Sequence, residues 1–226
     1  MLFFYYFYGM QNDFVIVLAW PEGLVKAAGS WYDSLFATDG KYRVGHSALI
    51  LVNSSNNSLH YFDFGRYHTP VGFGRVRDVE TDPDITLYTK VIISDNNIMN
   101  VDEILIELSN LKAVHGEGRL YASVLRNINF DKAYAKAKQI QDEGAIAYGP
   151  IVQTGTNCSR FVAAIMRAGE PHWYTNLRLK YPFTLSPSPK RNVSIANPNY
   201  FIADHCSCEM VNKSFIKSYF SSIEKI

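Results

Sequence analysis

Cysteine and charge are both scarce in this chain of 226 residues. Three cysteines are too few to form the disulfide framework of a small secreted protein. Charged residues make up 19% of the chain, and 22 basic side chains against 21 acidic ones leave a formal net charge of +1. Because nucleic-acid-binding proteins normally carry a basic excess, this balance argues against nucleic acid as a partner.

Long apolar runs are missing as well. No segment reaches the roughly 20 apolar residues that a transmembrane helix needs. Residues 1–10 (MLFFYYFYGM) are apolar, but they lack the preceding basic residues and the small-residue cleavage site of a signal peptide. We therefore interpret residues 1–10 as a strand or an irregular lead-in, predict no integral membrane segment, and favour a cytoplasmic location.

Hydrophobic residues, in contrast, make up 47% of the chain, which is enough for a substantial core. A length of 226 residues fits one domain. We predict a single domain over residues 1–226, with a folded core at about 14–170. Because prolines become frequent after position 170, residues 171–226 are predicted to form an irregular C-terminal extension.

The hydrophobic patterning predicts an α+β fold in which helices pack against an antiparallel sheet. Apolar runs and alternating residues predict strands, and a period near 3.6 after a capping residue predicts a helix. The predicted strands cover 14–20, 43–52, 59–67, 84–93 and 119–126, and the predicted helices, capped by Asn100, Asp131 and Asn157, cover 101–111, 131–143 and 157–168. The strands and helices do not alternate as they do in a βαβ chain.

The strongest candidate for chemistry is Cys158, at the predicted start of a helix. With Asn157 as the N-cap, Cys158 is the first helical residue. The unpaired backbone N–H groups and the positive end of the helix dipole stabilise a thiolate there, and the thiolate is the nucleophilic form of cysteine. A small apolar cysteine packed at a helix start is the alternative, and position alone does not separate the two.

A thiol nucleophile also needs a base, and His46 is the best placed of the six histidines. It opens an otherwise apolar strand directly after Gly45. A half-exposed histidine at a strand end, with no chemical role, is the competing interpretation.

Asp63 is the predicted group that orients the imidazole. A turn centred near residues 54–55 would pair the second and third predicted strands as a hairpin and place Asp63 across from His46 on the same face. Asp63 is also the only acid in an aromatic run, where an unpaired carboxylate is costly. His60 is the competing third member, but its opposite parity turns it to the other face of the sheet if Asp63 faces His46.

Three segments together resemble a circularly permuted papain-like fold. They are residues 44–51 (VGHSALIL), 61–65 (YFDFG) and 156–162 (TNCSRFV). The resemblance is to the permuted branch of the NlpC-type cell-wall peptidase superfamily, which also includes the lecithin retinol acyltransferase group, and within it to an uncharacterised bacterial family. In that branch histidine comes first, a polar residue follows on the next strand, and cysteine comes last at a helix N-terminus. His46, Asp63 and Cys158 have this order.

The resemblance implies a thiol hydrolase or acyltransferase that acts on an amide or ester bond and needs no metal or organic cofactor. Peptides, peptidoglycan and lipid esters are the substrate classes that it suggests. His205, Cys206 and Cys208 fall short of the four ligands of a structural zinc site, so no metal site is predicted. The alternatives are a non-catalytic binding module that keeps the fold and a redox-sensing thiol.

Overall fold

The computed structural model describes residues 12–26, 41–43, 45–149, 152, 154–181 and 187–213. Its strands are β1 (Asp13–Trp20), β2 (Leu24–Lys26), β3 (Lys41–Arg43), β4 (His46–Asn53), β5 (Ser58–Gly65), β6 (Phe73–Arg77), β7 (Ile93–Ser94), β8 (Asn97–Ile98), β9 (Leu120–Ile128), β10 (Ile146–Ala147), β11 (Tyr200–Ala203) and β12 (Cys208–Val211). Its α-helices are α1 (Val101–Asn110), α2 (Phe130–Asp142), α3 (Cys158–Ala168), α4 (Trp173–Lys180) and α5 (Pro189–Ala196). The interpretation of residues 1–10 lies outside the described residues.

Eight of the strands form one antiparallel sheet in the order β10-β6-β5-β4-β1-β9-β11-β12. The central strand β1 is buried on both faces, which explains its continuous apolar run. Val15 and Val17 face a core built with α2, α3 and α5, whereas Phe14 and Ile16 face a second core built with α1. The predicted α+β architecture, with helices packed on an antiparallel sheet, is confirmed.

The β4–β5 hairpin forms with a register two residues away from the predicted one. Ala48 pairs with Asp63, and Asn53 pairs with Ser58, so the loop between the strands has four residues. The side chains of the loop region favour this longer turn, because Asn53 Oδ1 accepts the backbone N–H of Ser55. A shift of two residues keeps side-chain parity, so Asp63 still lies on the same face as His46.

The predicted strand at 84–93 is wrong. A 3₁₀ turn at Pro83–Ile85 is followed by irregular chain up to the short strand β7. Its backbone N–H groups are bound by side chains instead of a neighbouring strand: the carboxylate of Glu107 accepts those of Tyr88 and Thr89. The alternating residues at 84–93 therefore belong to an irregular segment whose backbone is bound by side chains of α1.

The predicted helix caps are partly correct. Asn157 caps α3 as predicted, accepting the backbone N–H of Arg160 at 2.9 Å. Asn129, and not Asp131, caps α2, and Asp131 lies in the first turn, where its charge complements the helix dipole. Asn100 precedes α1 but makes no capping bond, because its amide donates to the carbonyl of Lys90 and accepts from the N–H of residue 92.

The prediction of an irregular C-terminal extension is wrong within the described residues. Two helices and two strands lie beyond position 170, and β11 extends the main sheet by pairing with β9. The cluster of prolines there includes Pro189 at the first turn of α5, after the capping residue Ser188. Proline is favoured at that position because the backbone N–H that it lacks would have no partner within the helix. No described helix has the length and apolar character needed to cross a membrane.

Candidate active site

The candidate site lies at one end of the sheet, where β1 ends and β4 begins. Trp20 pairs with His46 in the strand register, and their rings stack with centroids 5.8 Å apart. Gly45 makes this entry into β4 possible, because it has φ +63° and a Cβ atom there would lie 2.5 Å from the carbonyl oxygen of Trp20. The glycine therefore fixes where the imidazole of His46 is placed.

A hydrogen bond joins His46 to the buried carboxylate of Asp63. The Nε2 atom of His46 lies 3.1 Å from Oδ2 of Asp63, and the side chain of His46 is 13% exposed. Opposite a carboxylate, Nε2 carries the proton and donates it. The predicted pairing of His46 with Asp63 is thus present in the structure, although the two residues are diagonal neighbours and not direct cross-strand partners.

Asp63 accepts hydrogen bonds from three further side chains. The hydroxyl groups of Tyr61 and Tyr67 donate to Oδ2 at 3.1 and 2.9 Å. The guanidinium of Arg77 donates to Oδ1 from Nε at 3.0 Å and to Oδ2 from Nη2 at 2.7 Å. Burial opposes ionisation, but the hydrogen bonds and charges of His46 and Arg77 hold the pKa of Asp63 well below its usual range.

Arg77 was not predicted from the sequence. It lies on β6, is 3% exposed at the side chain, and places its guanidinium 3.5 Å from the centre of the Tyr67 ring. The sequence shows only an arginine next to the apolar residue Val76, which the structure buries in a short strand. That signal does not reveal the partner, because the pairing of β6 with β5 is a tertiary contact.

Cys158 is the first residue of α3, as predicted, and is 6% exposed. Its thiol interacts with the imidazole of His46, and this interaction lowers the pKa of the thiol and raises that of the imidazole. Because Nε2 of His46 is engaged by Asp63, Nδ1 is the nitrogen left for the sulfur. The structure therefore brings all three candidate residues, Asp63, His46 and Cys158, into one line of contacts.

The charges in this line stabilise each other. Burial alone would raise the pKa of the Cys158 thiol, but hydrogen bonds from His46 and Tyr148 and the charge of His46 lower it overall. Burial would likewise lower the pKa of His46, yet its bonds and charge interactions with Asp63 and Cys158 raise it to about 9. The arrangement therefore favours a thiolate beside an imidazolium.

Tyr148 is a second residue that was not predicted from the sequence. Burial and the neighbouring Cys158 raise the pKa of its hydroxyl well above the usual range, and the hydroxyl in turn helps to lower the pKa of the Cys158 thiol. The ring stacks on Phe64 with centroids 5.6 Å apart, and the backbone N–H of Tyr148 donates to the carbonyl of Gly72 at 2.8 Å. One tyrosine in the segment between α2 and α3 gives no sequence signal, since only folding brings it to the thiol.

The other candidates lie elsewhere. His60 faces the opposite side of β5, packs on Phe130 and Tyr134 at 5.2 Å each, and has Nε2 2.9 Å from the hydroxyl of Ser58. The side chain of His60 therefore lies on the face of the sheet opposite to His46, as the alternation of side chains along the strand predicts. In the part of the chain that the structure describes, no group of three or more His, Cys, Asp or Glu side chains is gathered as a metal site.

Comparison with known proteins places the chain in a family. A family model described as "Type VI secretion system effector TseH-like" matches residues 15–173, more than half of the sequence. The chain belongs to this TseH-like family. No curated protein sequence matches it.

The TseH-like assignment agrees with a structural similarity. The crystal structure of the type VI secretion system effector TseH matches with a TM-score of 0.58 and 20% sequence identity, over 88% of this chain and 98% of that one. At this identity the match speaks for the fold, which is α+β with the sheet and packed helices of a papain-like protein. His46, Asp63, Tyr148 and Cys158 all lie inside the segment that the TseH-like family model covers.

Proposed function

We propose that this TseH-like protein is a thiol hydrolase that cleaves an amide or ester bond with Cys158 as nucleophile. The observation that supports it is that His46 is hydrogen-bonded to Asp63 and also lowers the pKa of the Cys158 thiol at the start of α3. The sequence order of histidine, acid and cysteine is the order of the permuted papain-like branch, and the proposal includes that arrangement. Residues 1–226 are proposed to act as one domain.

The first half of the reaction forms a thioester. The thiolate of Cys158 attacks the substrate carbonyl carbon, and the carbonyl electron pair moves onto oxygen. The backbone N–H of Cys158 and the hydroxyl of Tyr148 are the donors beside the sulfur that can bind this oxyanion. As the tetrahedral intermediate collapses, the imidazolium of His46 gives its proton to the leaving amine or alcohol.

The second half releases the acyl group. Neutral His46 takes a proton from water, the hydroxide attacks the thioester carbon, and the carbon–sulfur bond breaks to restore the thiolate and imidazolium. Asp63 keeps the Nε2–H tautomer of His46, so Nδ1 stays available to the reacting groups. Acyl transfer differs only in the acceptor, because an alcohol or amine then replaces water.

The substrate class follows from the family resemblance and not from the site itself. Among the classes that the motif segments suggest, we propose the peptide amides of peptidoglycan, because the TseH-like family consists of bacterial effectors. Lipid esters are the second class to test.

The test uses purified peptidoglycan sacculi and phospholipid vesicles, each incubated with the wild-type protein or with Cys158→Ala. Mass spectrometry should detect new amine and carboxylate ends in the sacculi with the wild type and none with Cys158→Ala. Cys206→Ala, a cysteine substitution in an exposed turn, is the matched control and should cleave like the wild type. Products from the vesicles alone would instead assign an esterase or acyltransferase.

Two results would contradict the proposal. A thiol that is unreactive and yields no product from either substrate would favour a binding module. A thiol that is oxidised reversibly by peroxide but yields no product would favour a redox sensor.

A further inference from the structure

Two arginines on β6 form the same kind of ion pair in different surroundings. Arg75 donates from Nη1 and Nη2 to the carboxylate of Asp82 at 2.7 and 2.8 Å, with the side chains 24% and 15% exposed. Arg77, two residues along, makes its two bonds to Asp63, which is fully buried. A buried bidentate pair is costly to form, because both charges lose their hydration. The Arg77–Asp63 pair is bonded to His46 through Asp63, so we look for a role of this pair besides stability.

The charged and titratable groups around His46 come from several elements. They are Asp63 and Tyr61 on β5, Tyr67 after β5, Arg77 on β6, Cys158 on α3, and His115, whose ring stacks on Tyr67 at 5.5 Å. Among these described groups, Arg77 supplies a cation that binds both oxygens of the Asp63 carboxylate, including Oδ2, which also contacts His46.

We propose that Arg77 is a positioning residue of the candidate site, which holds the Asp63 carboxylate in place and takes up part of its charge so that His46 can release its proton. This inference rests on the proposed function. The two hydrogen bonds fix the plane of the carboxylate, and the stack of the guanidinium on Tyr67 fixes the arginine. Oδ2 is thereby aimed at Nε2 of His46.

The sharing of charge matters for the proton cycle. In the proposed reaction, His46 must hold a proton beside the thiolate and then give it to the leaving group. An Asp63 carboxylate with no other cation would act on His46 alone and hold the imidazolium more tightly. With Arg77 present, the same carboxylate orients the ring but binds its proton less strongly.

The test measures the pKa of His46 by NMR, from its imidazole Cε1–H resonance, which is assigned by its absence in His46→Gln. Arg77→Gln should raise that pKa by at least one unit, a tenfold change in the acid dissociation constant. Arg77→Lys, which keeps the charge but loses the planar two-bond contact, should leave the pKa within half a unit. In both variants the Nε2–H resonance should exchange faster with water, because the carboxylate is less firmly held.

Arg75→Gln is the matched control, because it breaks a bidentate pair on the same strand, and it should change neither the pKa nor the exchange. A His46 pKa that stays constant or falls in Arg77→Gln would overturn the charge-sharing role. If Arg77→Gln does not fold, Arg77→Lys decides, and a wild-type Nε2–H exchange rate would overturn the inference. Absent turnover together with the expected NMR shifts would overturn only the proposed function.

Discussion

Asp63 and His60 lie on the same strand, but their side chains leave it on opposite faces. Asp63 accepts the Nε2–H of His46, whereas His60 packs against the rings of Phe130 and Tyr134. The separation of three residues places them on opposite sides of the pleat. The two candidates for the third member of the site are therefore separable by single substitutions.

Asp63→Asn should slow turnover by roughly 100- to 10,000-fold, because an amide can hold the wrong imidazole tautomer. It also leaves Arg77 buried without a carboxylate, so the free energy of unfolding should fall by about 3 kcal/mol. Steady-state kinetics at a temperature below the unfolding midpoint separates the two effects.

His60→Gln is the matched control, and its turnover should stay within twofold of the wild type. Loss of turnover in His60→Gln with normal turnover in Asp63→Asn would reverse the assignment. If neither variant is impaired while Cys158→Ala is inactive, the site works as a dyad and Asp63 has a structural role.

The three cysteines should differ in their reaction with a small neutral alkylating reagent at pH 6. His46 and the hydrogen bonds around Cys158 lower the pKa of its thiol, whereas burial and nearby acids raise the pKa of Cys208 to about 11. We expect Cys158 to react at least about tenfold faster than Cys208, and His46→Gln to remove that advantage. Equal rates at all three cysteines, measured by mass spectrometry of peptides, would contradict the ion pair.

The contribution of His46 to stability should depend on pH in a defined direction. Its pKa is raised from 6.5 to about 9, so its stabilising effect is complete below pH 6.5 and is lost as the pH rises through 9. The difference in free energy of unfolding between the wild type and His46→Gln should therefore shrink between pH 6 and pH 10. Urea denaturation at both values tests this, and two parallel stability curves would contradict it.

Gly45→Ala should displace the imidazole of His46. A Cβ atom at this position would lie 2.5 Å from the carbonyl oxygen of Trp20 and 2.8 Å from Cα of Pro21, both backbone atoms. The positive φ adds about 1 kcal/mol of strain for a residue with a side chain. We expect an unfolding free energy lower by about 2–4 kcal/mol and a loss of rapid Cys158 alkylation.

Gly72→Ala is the control for Gly45→Ala, because Gly72 also has a positive φ but a Cβ atom added there would have no atom within 4 Å. It should show the conformational cost alone, about 1 kcal/mol, with normal alkylation of Cys158. An equal cost at the two glycines would mean that the contact with β1 is not what requires Gly45.

Tyr148→Phe should lower kcat by about 10- to 1,000-fold with little change in KM, because it removes one donor that binds the oxyanion. Tyr134→Phe removes a hydroxyl from a tyrosine that packs on Phe62, on the His60 side of the sheet, and should leave kcat within twofold. If the two variants behave alike, the Tyr148 hydroxyl does not take part in the reaction.

The features predictable from the sequence were those set by local chemistry. The apolar run in β1, the Asn157 cap and the parity of Asp63 against His60 depend on neighbours along the chain or on strict alternation. These local features were enough to predict that the three candidate residues lie close to one another. The shift of two positions in the hairpin did not affect this result, because alternation repeats every two residues.

The parts that could not be predicted depend on distant contacts. Segment 84–93 alternates like a strand, but the carboxylate of Glu107 accepts backbone N–H groups that a neighbouring strand would otherwise bind. Arg77 and Tyr148 reach the site through β6 and the segment before α3, whose neighbours are set by the folded sheet. The prolines after position 170 were informative about a helix start, yet composition alone suggested irregular chain.

The two halves of the candidate site are far apart in the chain. His46 and Asp63 belong to one hairpin, whereas Cys158 follows about a hundred residues later, and contacts between such remote segments generally form late in folding. Until α3 docks on the hairpin, the thiol is an ordinary cysteine without an imidazole beside it. Rapid alkylation of Cys158 during refolding therefore times the last stage of assembly, and in a chain that is held unfolded Cys158 should react no faster than an ordinary cysteine.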